Sequence, residues 1–100
     1  MTDEELIATC KDFREGLLDG GSSYAMCAVV SYPLEGYLSF LGVGVRAEKV
    51  TFANHPTCAG HVFLRLDDGR ILDPTADQFG LEPVYLGPFP DLYLSWGAKP

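Results

Sequence analysis

The sequence predicts a single α+β domain in which N-terminal helices pack on a small antiparallel sheet. Apolar residues at helical spacing fill the first part of the chain. Short β-branched and apolar runs, broken by Gly and Pro, fill the rest, so helices come first and strands after. One hundred residues suffice for one hydrophobic core but not for a second lobe.

The elements follow in order. Thr2, with Glu5 three residues on, makes a capping box. Leu6, Ile7, Cys10, Phe13, Leu17 and Leu18 then recur as the apolar stripe of a first helix, which Asp19, Gly20 and Gly21 terminate. Ser22 or Ser23 is placed to cap a second helix from about Tyr24 to Leu41. It is apolar on most sides, which predicts a central buried helix, and Pro33 predicts a kink or a break in it. Val43–Ala53 reads as a strand, with a turn conceivable at Arg46–Lys49. Asn54–Ala59 reads as a loop, Gly60–Leu66 and Arg70–Asp73 as a hairpin, and Thr75–Phe79 as a short helical turn. Val84–Leu86 reads as a last strand. The proline-rich tail from Gly87 to Trp96 supports no assignment, and its aromatic residues suit either core packing or a partner surface.

The hairpin turn decides where two polar residues point. A two-residue loop at Asp68 and Gly69 would pair Leu64 with Asp73 and turn Asp73 away from His61. A three-residue loop, Asp67-Asp68-Gly69, needs a left-handed third residue, and glycine stands there. Leu66 then pairs with Arg70 and Phe63 with Asp73, so His61, Phe63 and Asp73 share a face. Val62, Leu64, Leu66 and Leu72 take the other and form a plausible core stripe. The core pattern favours the three-residue loop.

Composition bounds the function. Fourteen acidic and seven basic residues give a formal charge of −7, the wrong sign for phosphate contacts or for an anionic membrane surface. No apolar run approaches the ~20 residues of a membrane span, and the acidic start, Met1 to Glu5, does not resemble a secretory leader. Cys10, Cys27 and Cys58 are odd in number and irregularly spaced, which fits reduced thiols in a cytoplasmic protein.

Cys27, expected near the start of the second helix, can be activated by an imidazole and by the positive end of the helix dipole. His61 would take the thiol proton, and Asp73 would fix the ring's tautomer. The amides at the helix start would serve as oxyanion donors. Each residue also has a structural reading: Cys27 as core filler, His61 as a strand-end residue, and Asp73 as a turn closer before Pro74. A second constellation, His55, Cys58 and His61, has metal-ligand residue types at intervals of three. A structural zinc site wants four ligands, and Cys10 or Asp73 would have to complete this one. No metal or cofactor is therefore expected.

The runs Met26-Cys-Ala-Val-Val-Ser-Tyr-Pro-Leu-Glu-Gly-Tyr-Leu-Ser-Phe-Leu-Gly42 and His61-Val-Phe-Leu-Arg-Leu-Asp-Asp-Gly-Arg-Ile-Leu-Asp-Pro-Thr-Ala-Asp-Gln-Phe79 resemble small microbial and phage proteins of the transglutaminase-like, or papain-like, superfamily. The likeness extends from about Met26 to Gly87. It implies a papain-like core, with Cys27 as nucleophile, His61 as base and Asp73 as orienting acid. Two departures stand out. Where papain-type enzymes carry a Gln shortly before the Cys, this chain has Gly20, Gly21, Ser22 and Ser23; Gln78 follows the Asp and is no direct replacement. Phe63 stands near the place where many transglutaminase-like sites have a Trp.

The expectation is a thiol enzyme acting on a protein, peptide or small amide or acyl substrate by hydrolysis, deamidation or acyl transfer. Its rival is an inactive member of the fold that binds or inhibits a protein partner. The sequence leaves the oligomeric state open.

Overall fold

A computed structural model describes all residues from Met1 to Pro100. Helix α1 (Asp3–Leu18) begins at the expected capping box. Thr2 Oγ1 accepts the Glu5 N–H at 3.1 Å, and Glu5 Oε1 accepts the Thr2 N–H at 3.0 Å. Leu6 and Cys10 are buried from it, and so is Arg14, a charged residue on the inward stripe.

Helix α2 (Cys27–Phe40) departs from expectation in three ways. It starts at Cys27 rather than near Tyr24, and no serine caps it: Met26 holds the N-cap position without a side-chain bond. The backbone at Ala25 is left-handed (φ 60°), which keeps the preceding residues out of the helix, and Ser23 Oγ donates instead to Asp77 Oδ1 at 2.6 Å. The helix also runs unbroken through Pro33. That residue and Val29 are exposed, so water can take the carbonyl left without its internal partner. Finally, α2 is not a buried central helix. Only Val30, Ser31, Leu34 and Leu38 are buried, whereas Val29, Tyr32 and Phe40 are 49%, 52% and 86% exposed. The sheet covers one side of α2, and no further layer covers the other.

Four strands, β1 (Val45–Thr51), β2 (Gly60–Leu66), β3 (Ile71–Asp73) and β4 (Tyr85–Gly87), form an antiparallel sheet in the order β1-β2-β3-β4. Arg46–Lys49 is strand, not turn. The β2–β3 turn is the three-residue one: Leu64 faces Leu72, Arg65 faces Ile71, the Leu66 N–H bonds Arg70 O at 2.9 Å, and Gly69 has φ 92°. A 3-10 turn (Ala76–Phe79) follows β3. The tail contains a short helix, α3 (Asp91–Ser95), whose start after Pro90 suits the fixed φ of proline.

The sheet separates two cores. On the side of α1 and α2 lies an aliphatic cluster of Leu6, Cys10, Leu34, Leu38, Leu64, Leu66, Leu72 and Val84. On the opposite side the tail folds back, and Phe52, Phe63, Ile71 and Tyr93 pack with Phe79, Phe89 and Trp96. The chain is thus α+β, with three helices and a four-stranded antiparallel sheet. No helix is long and apolar enough to cross a membrane.

Candidate active site

The site begins with Asp73, the last residue of β3, fully buried on the aromatic face. Its Oδ1 accepts the Thr75 N–H at 3.0 Å, a local bond that uses the turn made by Asp73, Pro74 and Thr75. Its Oδ2 accepts two short bonds, both 2.5 Å, from His61 Nε2 and from the Tyr93 hydroxyl. All the polar atoms of this buried cluster find partners.

His61, 1% exposed, lies among rings. Phe52 stacks on it with centroids 5.9 Å apart, and Phe79 meets it edge-on at 4.8 Å. These contacts fix the ring plane, and the bond to Asp73 fixes which nitrogen faces the carboxylate. With Nε2 committed, Nδ1 is the nitrogen left for the Cys27 thiol, which lies near enough to the ring for each to shift the other's pKa.

Cys27 is the first residue of α2 and half-buried. One turn further along the helix, buried Ser31 donates to Val62 O at 3.2 Å and pins α2 across β2, beside His61. Burial alone would raise the thiol pKa. The His61 ring and the Val62 and Ala28 amides beside it outweigh that and hold the thiol below its ordinary value. For His61, burial alone would lower the pKa. Asp73 and Cys27 overcome that and push it up to about 9. The two shifts run in the direction that favours a thiolate beside an imidazolium. By contrast, burial pushes Cys10 up to about 12, and Tyr93 is raised by burial and by the Asp73 charge, so it stays a phenol.

Two clefts open at Cys27. One, of about 370 Å³, is walled by Tyr24, Ala25, His55, Cys58, Gln78 and Phe79; the other, of about 510 Å³, by Ala28, Lys49, Thr51, Gly60 and Val62. No carboxylate lines either, despite the acidic composition.

The three residues singled out in the sequence are therefore brought together. His55 and Cys58 are not brought with them into a ligand set. His55 Nδ1 accepts the Thr57 and Cys58 N–H groups at 3.1 and 2.9 Å, and the Cys58 thiol donates to Gly60 O at 3.0 Å. No group of three His, Cys, Asp or Glu side chains is placed to hold a metal ion.

Sequence reasoning missed Tyr93 and Arg14 and set Gln78 aside. Tyr93 arrives from the tail, where proline obscured the helix. Gln78 enters the cleft from the 3-10 turn: its Nε2 lies 3.0 Å from Thr75 Oγ1 and 3.5 Å from His61 Nδ1, and its Oε1 accepts the Ala25 N–H at 3.4 Å. Arg14 braces the turn that carries Gln78. It donates to Pro74 O (3.2 Å), Pro83 O (2.7 Å) and Asp77 Oδ2 (2.8 Å), while Ser23 holds the other Asp77 oxygen. The one available signal was a basic residue interrupting the α1 stripe.

A scan against protein-family models and searches of curated proteins and of solved structures find no match for this chain.

Proposed function

We propose that this chain is an intracellular thiol enzyme with a papain-like core of the transglutaminase-like type. In this reading Cys27 is the nucleophile, His61 the acid–base and Asp73 the orienting carboxylate. The observation that carries the reading is the buried His61–Asp73 hydrogen bond beside Cys27, at a helix start that opens on a cleft.

The thiolate adds to the carbonyl carbon of an amide or acyl substrate. A C–S bond forms as the carbonyl π pair moves to oxygen. The tetrahedral adduct collapses, and the leaving amine or alkoxide departs with the proton held on His61 Nδ1, giving a thioester. His61 then takes a proton from water or an amine, which adds to the thioester and returns the C–S pair to sulfur. Water gives hydrolysis or deamidation, and an amine gives transfer. Protein, peptide and small acyl substrates all fit this chemistry, whereas nucleic acid and membrane surfaces do not suit the net charge of −7.

A second reading, a protein-binding module or inhibitor on the same fold, is supported by the exposed stripe of Val29, Tyr32 and Phe40 on α2. Alkylation with iodoacetamide, read by peptide mass spectrometry, separates the two. The enzyme reading expects Cys27 to react far faster than Cys10 or Cys58, with a midpoint well below the ~8.5 of a free thiol. Uniformly slow alkylation of all three favours the binder.

A further inference from the structure

Addition of a thiolate to a carbonyl puts negative charge on oxygen, and a site that accelerates it aims fixed donors at that oxygen. Gln78 has the geometry of such a donor. Its orientation is set by an obligate donor: the Ala25 N–H can bond only an acceptor, so the amide atom facing it is Oε1. Nε2 is thereby turned the other way. One of its hydrogens serves Thr75 Oγ1 at 3.0 Å, and the other is directed toward His61 Nδ1 at 3.5 Å, too long for a strong bond. Gln78 lines the same cleft as Cys27.

The nitrogen Gln78 approaches is the one that the Asp73 bond leaves for the thiol. While Nδ1 is bare it accepts; once it carries the thiol proton it is a donor and offers the amide nothing. With the thiolate–imidazolium pair formed, one Gln78 N–H is therefore free beside the nucleophile for a carbonyl oxygen. We propose that Gln78 is an oxyanion donor of this site, its Nε2–H bonding the substrate oxygen as Cys27 Sγ adds to the carbonyl carbon. No proton leaves Gln78; the bond strengthens as the π pair moves to oxygen and weakens when the adduct collapses. This inference rests on the Cys27–His61–Asp73 reading.

Two reagents test it on the full chain. Iodoacetamide alkylates sulfur by displacing iodide and develops no charge on a carbonyl oxygen. p-Nitrophenyl acetate acylates sulfur through a tetrahedral oxyanion. Both rates are measured at Cys27 in wild type, Gln78→Ala and Gln78→Glu. The Glu variant keeps an acceptor for the Ala25 N–H while removing the donor. The expected result is acylation slowed about 100-fold in both variants, with alkylation undiminished in Gln78→Glu. Acylation at the wild-type rate in both variants overturns the proposal. So does a parallel fall of both rates in both variants, which would make Gln78 a support for the loop carrying Cys27. A wild-type Cys27 inert to both reagents removes the enzyme reading, and this inference with it.

Discussion

The two faces of the β2–β3 hairpin are built from alternate residues of the same short segments, yet they have opposite chemistry. Leu64, Leu66 and Leu72 pack into an aliphatic core under α1 and α2, where nothing needs a polar partner. His61 and Asp73 lie across the sheet in an aromatic core, where a carboxylate, an imidazole and a phenol satisfy one another. The first face is held by area removed from water, so its members are interchangeable within limits of volume. The second is held by partners, so each member depends on the others. A sheet lets one hairpin carry both because neighbouring side chains point to opposite sides.

Neighbours Leu72 and Asp73 offer the sharpest test of that contrast. Leu72→Ala leaves a cavity and is expected to cost about 2–5 kcal/mol in denaturant unfolding. Asp73→Ala strands a buried imidazole, a phenol and the Thr75 N–H, and is expected to cost about 3–5 kcal/mol. The two losses are similar, but their chemistry differs. In Leu72→Ala the alkylation midpoint of Cys27 stays where it is, whereas in Asp73→Asn, which keeps the shape, it rises toward that of an ordinary thiol. A midpoint that moves equally in both would erase the distinction between the faces.

Acid–base linkage sharpens it further. His61 is raised from 6.5 to about 9, so its contribution is complete below pH 6.5 and is lost as pH rises through about 9. Cys27 is lowered, so its contribution is present above the ordinary thiol value and is lost as pH falls through its folded value. The two contributions therefore run in opposite directions with pH. Wild-type stability is expected to fall less steeply between pH 6.5 and about 9 than the His61 contribution alone would make it. In Cys27→Ala only the His61 contribution remains, and Tm is expected to fall as pH rises above 6.5. Thermal unfolding across this range in both proteins checks it. Parallel curves would mean that Cys27 makes no compensating contribution.

What was legible in the sequence was local. The capping box at Thr2 and Glu5, and the turn ending at Gly69, are each fixed within a few residues. The turn sets the register that puts His61 and Asp73 on one face. The start of α2 departs from the local pattern because Ser23 is drawn to Asp77, which lies in a turn 54 residues further along the chain. Tyr93 and Arg14 were missed for the same reason, since each reaches the site from an element far along the chain, whereas Gln78 was set aside because it follows the Asp instead of preceding the Cys. The exposed side of α2 shows the converse error: an apolar composition does not reveal how many layers the fold supplies to cover it.

The smallest expected effect concerns Ala25, two residues before the nucleophile and left-handed at φ 60°. A non-glycine residue there costs roughly 1–2 kcal/mol, and the conformation persists because neighbours hold it. Gln78 Oε1 accepts the Ala25 N–H, Ser22 Oγ accepts the Tyr24 N–H at 3.1 Å, and Ser23 is tied to Asp77. Ala25→Gly removes that strain but adds about 0.5–1 kcal/mol of unfolded-state entropy. The net expectation is a gain of about 0.5 kcal/mol, or about 2–4 °C in Tm. If the strained turn also aims Cys27, the more stable Ala25→Gly protein is expected to alkylate more slowly at Cys27, because the loop is then free to leave the conformation that presents the thiol to His61. A gain in Tm with an unchanged alkylation rate would show that the strain is incidental, and that α2 and its Ser31 bond to Val62 alone set the position of the nucleophile.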